Sequence, residues 1–190
     1  DSPALDVQIP ELGQRPIMLS PQLATKREYT EEREPCENYD PLRQPQYGDI
    51  HVHTKYSLDA STQSTRTTPD QAYQFAKGGV LGLQPWTEDG KPLRELQLER
   101  PLDFAMISDH SELLGEVAIC NTPEMEGHGS WQCKVYRNIP RAAYYLFNFF
   151  ASSRAERLGF CDVGGTDICK AAGIVPWEDI QNAAENTALQ

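Results

Sequence analysis

His51 and His53 stand one residue apart in Gly48-Asp49-Ile50-His51-Val52-His53-Thr54, where β-branched and polar residues alternate. Alternation predicts a strand, and a spacing of two sends both imidazoles to one face, within reach of one metal ion. Asp59, six positions after His53, sits in the loop leaving that strand, from which a carboxylate can swing back over the same end. A second constellation, Asp109-His110, closes the apolar run Phe104-Ala105-Met106-Ile107. There His110 is a candidate ligand and Asp109 a candidate catalytic group that orients it or binds directly. Glu112 is a further oxygen donor, and Glu116 a weaker one.

Each residue also has a plain reading. Asp59 alone suits a turn, and Glu112 suits a helix start, where the dipole favours a carboxylate. The combination decides. Of four histidines, three fall in two strand-end motifs beside carboxylates. Mixed imidazole and carboxylate donors fit divalent Zn, Mn or Fe. His128, between glycines, reads as an exposed loop residue. Arg66, Lys77 and Arg100, the candidate phosphate binders, read as surface charges.

The elements that position these groups follow from local signals. Thr68-Pro69-Asp70 starts a helix, with Thr68 as N-cap and Ala72, Phe75 and Ala76 as its apolar face; Gly78-Gly79 stops it. Asp89-Gly90, between short alternating segments, predicts a β-hairpin within Leu81–Leu98. The run ending at Asp109-His110 reads as a buried parallel strand reaching the open end of a sheet or barrel. Ser111 begins a short helix. Ser130 caps another that extends toward Arg157, with Pro140 bending or splitting it. Ala142–Ala151, the most apolar stretch, reads as a buried helix. Pro176 starts a last helix with Trp177, Ile180, Ala184 and Ala188 on one face. Strands alternating with helices make this an α/β chain. Residues 1–46, Pro-rich and mixed in charge, read as an irregular extension, and 47–190 as the domain.

The formal net charge of the 190 residues is -11, with no basic stripe, which argues against a nucleic-acid partner; the partner expected of a metal-assisted site is a small-molecule substrate. No run of about 18 apolar residues occurs, so no membrane span is expected. Five cysteines form no C-x-x-C pair. Cys120 and Cys133 bracket one short polar loop, and Cys161 and Cys169 another, as disulfides do in oxidising compartments. Cys36 is left over. The sequence starts at Asp1 without an apolar h-region, so any signal peptide is already removed or left out of it; together with the cysteine pairs, the expected location is the periplasm or the cell exterior.

The segment Gly48–Ala60 resembles the first motif of the PHP (polymerase and histidinol phosphatase) superfamily. Pro69–Gly78 and Arg100–Gly115 narrow the resemblance to a bacterial branch of exported PHP-like proteins classed as a domain of unknown function. The match is close from Tyr47 to Gly115 and looser over Trp177–Leu189. It implies a distorted, TIM-like (β/α)7 barrel with two or three metal ions at the C-terminal ends of its strands, and hydrolysis of phosphate esters or a related hydrolysis. On it, His51 and His53 are the first ligand pair, Asp59 the next ligand, His110 the histidine of the second motif, and Glu112 the acidic residue of this branch.

The later motifs of that family do not occur: no histidine follows His128. The expectation is therefore the N-terminal part of a metal-dependent hydrolase, a partial barrel lacking its C-terminal strands. Such a chain should bind metal weakly and turn over little. The alternative is a non-catalytic metal- or partner-binding module on a degenerate PHP-like fold, with open apolar surface covered by self-association. A third reading is a disulfide-stapled secreted domain with surface histidines.

Overall fold

A computed structural model describes residues 45–188. The extension up to residue 44, and Cys36 with it, lies outside the described residues. Strand β1 (Gly48–Val52) forms at the first histidine pair and lies parallel to β4 (Phe104–Ile107), with Gly48 opposite Phe104 and Val52 opposite Ile107. A glycine is needed at 48: a Cβ there would stand 2.3 Å from the Phe104 carbonyl oxygen. Because the pair is parallel, His53 and Asp109-His110 leave the sheet at the same end.

Between these strands the chain follows the local signals. Helix α1 is the short turn Leu58–Ser61, and α2 spans Pro69–Ala76. Thr68 caps α2 through a capping box: its hydroxyl accepts from Gln71 N at 3.3 Å, and its own N–H donates to Gln71 Oε1 at 2.9 Å. Gly78, at φ +91°, ends it. Strands β2 (Leu81–Trp86) and β3 (Pro92–Leu96) form the expected hairpin, with Gly90 at φ +82° in the turn. The buried face of α2 carries Ala72, Tyr73 and Ala76; Phe75 is only partly buried and Tyr73 takes its place.

The second half is helical. α3 (Leu114–Asn121) is buried on every side from Leu114 to Cys120. Around it stand α4 (Trp131–Asn138), α5 (Pro140–Asn148), a π turn over Phe149–Arg154, a small ribbon of β5 (Asp162–Val163) and β6 (Thr166–Asp167), and α6 (Ile168–Ala172). Ser130 caps α4, accepting from Cys133 N at 3.2 Å, and Pro140 splits α4 from α5. Disulfides Cys120–Cys133 and Cys161–Cys169 form, as the cysteine spacing predicts. Tyr136 and Phe147, centroids 5.8 Å apart, fill the core beside them. Gly115 lets α3 touch α6, since a Cβ there would meet the Cys169 carbonyl oxygen at 1.8 Å. The last helix, α7 (Ile174–Ala188), seals a second core with Ile180, Ala183 and Ala184 against Ala72, Tyr73 and Ile107.

Among the described residues the strands make three separate two-stranded sheets and no closed barrel: the α/β class stands, while the expected partial barrel does not emerge from them. Three other expectations change. β4 is not buried on both faces: Ile107 is buried, but Phe104 and Met106 are about half exposed. Period-2 exposure on a parallel pair means that only one face of this sheet is covered here. α5 is likewise one-sided, with Ala143 and Phe147 inside and Tyr145 in solvent. α7 begins two residues before Pro176, and Trp177 points outward, because the contact with α2 selects the Ala183 face.

Candidate metal centre

The two strand ends bring the three motif histidines side by side. The ring centroids of His51 and His53 lie 4.8 Å apart, and those of His53 and His110 lie 4.9 Å apart. His53, Asp59 and His110 each offer a ligand atom, and these atoms lie within 4.8 Å of one another. Spacing along β1 accounts for the first pair; the parallel register of β4 brings His110.

The carboxylates are arranged around the imidazoles. Asp59 Oδ2 accepts from His53 Nδ1 at 2.7 Å, leaving His53 Nε2 as the nitrogen open to a cation. The other oxygen, Oδ1, accepts from Ser57 Oγ at 2.6 Å and from Ala60 N at 2.8 Å. Burial pushes the Asp59 carboxyl up, but the bonds from Ser57, His53 and Ala60 outweigh it and hold the group below the usual carboxylate range. Glu112 Oε1 stands 3.2 Å from His110 Nδ1, again leaving Nε2 open. Both members of that pair are about half exposed, so it orients weakly.

Asp109 is turned inward. Its Oδ1 accepts from Thr54 N at 2.5 Å and its Oδ2 from the Thr54 hydroxyl at 2.6 Å. Burial raises its pKa, and the Thr54 bonds offset that only in part. The carboxylate thus ties the exit of β1 to the exit of β4. Ser57 makes a second tie, its Oγ accepting from His110 N at 3.1 Å. Thr54 and Ser57 are fully buried, and sequence reasoning missed both. The one signal was their position in the loop that leaves the ligand-bearing strand, which serine and threonine share with many loops that have no such role.

Glu116 does not join this group. Its buried carboxylate grips Arg157 Nη1 at 2.7 and 2.9 Å. It also lies among Cys161 and Cys169, but a disulfide between those sulfurs leaves no thiolate to bind metal. His128 is not a free surface residue either: it is half-buried, and its Nδ1 lies 3.1 Å from the Ile119 carbonyl. A cleft of ≈ 380 Å³ opens beside His51 and His53, walled by Tyr73, Leu83 and Ile107.

Chemically, imidazole nitrogens with their opposite ring atoms held by carboxylates are a donor set for a divalent cation. The family model described as "Protein of unknown function (DUF3604)" matches residues 40–187. Neither a curated protein nor a solved structure matches the chain.

Proposed function

The chain belongs to the DUF3604 family, and on that premise we propose that it carries the first-motif half of a metal-dependent hydrolase centre of the PHP type. The observation that supports this most is the convergence of His51, His53 and His110, with Asp59 on His53, at one end of the β1–β4 pair. In this reading His51, His53 and His110 hold the cation through imidazole nitrogen. Asp59 and Glu112 orient His53 and His110, and each can shift to direct ligation. Asp109 is a positioning residue that keeps the two strand ends in register through Thr54.

A bound divalent ion would lower the pKa of water at this rim and polarise a phosphoryl oxygen. The protein's own share is to fix the imidazoles before the ion arrives and to offer a cleft whose apolar wall excludes water from one side. The substrate we propose is a small phosphate ester. The exposed apolar residues of the sheet, Ile50, Phe104 and Met106, support reading β1 and β4 as the first strands of a larger PHP-like barrel. Two disulfides support a periplasmic or secreted location; no helix among the described residues is long and apolar enough to cross a membrane.

The test is turnover of a generic phosphate monoester with Mn or Zn by this chain and by the longest reading frame that contains it. Low turnover here and robust turnover in the longer protein are expected. No turnover in either would remove the phosphoesterase reading and leave the alternative, a metal- or partner-binding module.

A further inference from the structure

A second pocket, ≈ 490 Å³, lies between the β1–α1 loop and the helices α3, α4 and α7, and none of the metal-centre residues line it. Its charge is one-sided. Lys55, Arg66 and Arg137 line it, and no Asp or Glu does, in a chain whose formal net charge is -11. None of the three forms an ion pair among the described residues. Lys55 lies over the Tyr56 ring at 4.9 Å and Arg66 over the Trp86 ring at 4.8 Å, so both cations are held by aromatic faces rather than neutralised by carboxylates. Arg137 is anchored from below: its Nη1 donates to the carbonyls of Cys120 at 2.9 Å and His128 at 3.1 Å. The nearby Asp179 carboxylate accepts the Tyr56 hydroxyl and is not among the lining residues.

The rest of the lining supplies an apolar body site and a polar edge. Val117, Met125 and Val175 are apolar walls, and Asn121 Nδ2 donates to Tyr136 Oη at 3.0 Å on the floor. Three cations without lining acids give this concavity a locally positive character. Apolar walls with few convergent polar groups are the ordinary make-up of a small-molecule site.

We propose that this pocket binds a small organic anion, an oxyanion head on an apolar body, and that it does so independently of the metal centre. Arg66, which sequence alone reads as a surface charge, is then a recognition residue together with Lys55. The head meets Lys55 and Arg66, and the body lies against Met125, Pro140 and Val175.

The probe is benzenesulfonate, which carries both features, is a poor metal ligand and cannot be hydrolysed as a phosphate ester can. Its binding to the whole chain is followed by calorimetry and by chemical shifts of the Met125 and Val175 methyls. Arg66→Gln and Lys55→Gln are each expected to weaken binding about tenfold, the scale of one lost charge-assisted contact. Both side chains are outside the buried core, so folding is checked by an unchanged far-UV spectrum. Neutral benzenesulfonamide should bind about tenfold more weakly than the anion. His110→Ala, which damages the metal centre, should leave benzenesulfonate affinity unchanged. Equal affinity for the neutral and charged probes, insensitivity to both cation variants, or loss of binding in His110→Ala would each overturn the assignment. No binding of either probe at millimolar concentration would also overturn it.

Discussion

Thr54→Val exchanges the buried hydroxyl for a methyl of similar size. The Thr54 side chain is fully buried, and its hydroxyl donates to Asp109 Oδ2 at 2.6 Å while its N–H donates to Oδ1. Valine fills the same volume, so no cavity opens, and the backbone bond survives. What is lost is the hydrogen bond to the carboxylate, worth about 1.5–3 kcal/mol, and with it the longer bond that the hydroxyl accepts from Tyr56 N at 3.3 Å. For a domain of this size that corresponds to a fall of roughly 4–10 °C in Tm. The site should respond too. Asp109 precedes His110, and loosening the Thr54 tie lets the His110 ring drift from His53, so metal affinity should fall about 10-fold or more, as when a ligand's supporting bond is cut. Urea unfolding at pH 7 gives the stability, and equilibrium titration with Zn gives the affinity. Thr54→Ser keeps the hydroxyl and loses a methyl, at a cost of about 1 kcal/mol; it should retain most of the affinity. If the valine and serine variants bound metal equally well, Asp109 would not be the link between the strand ends and the reasoning would fail.

Gly115→Ala should destabilise by at least about 1–3 kcal/mol, because its Cβ would collide with the Cys169 carbonyl rather than with a movable side chain; denaturant titration measures it. The two disulfides close loops with sequence separations of 13 and 8. Chain entropy gives each about 2.5–3 kcal/mol, so replacing both pairs by serine should cost roughly 5 kcal/mol, visible as a lowered urea midpoint. Glu116 tests the sign of a linkage. Burial raises its pKa despite the Arg157 bonds that lower it, so its contribution to stability is greatest below the unfolded carboxyl range and is lost as pH rises through the folded value. Wild type should therefore exceed Glu116→Gln by more at pH 4 than at pH 7. A gap that widens toward pH 7 would show that Arg157 outweighs burial.

The legible parts of this protein were those governed by near neighbours. The N-cap at Thr68, the turn at Gly90, the break at Pro140 and the histidine spacing on β1 are each set within a few residues, and each appears as read. What sequence could not supply was which face of an apolar element meets a partner. Phe104 and Met106 are as apolar as Ile107, yet only Ile107 has a covering layer, from α2 and α7. Trp177 gave way to Ala183 because close contact between α2 and α7 favours a small side chain. At the site, the ligand-type residues were visible from their chemistry. The buried hydroxyls of Thr54 and Ser57 were not, since serine and threonine are common after any strand and only three-dimensional contact with Asp109, Asp59 and His110 gives them a role.

A shared centre requires imidazoles from two strand ends on one cation, and Zn K-edge X-ray absorption on the chain loaded with one equivalent of Zn addresses that directly. At least two imidazole nitrogens at about 2.0–2.1 Å are expected, with imidazole scattering reduced in His53→Ala and in His110→Ala. A first shell of oxygen alone, or one unchanged in both variants, would contradict it.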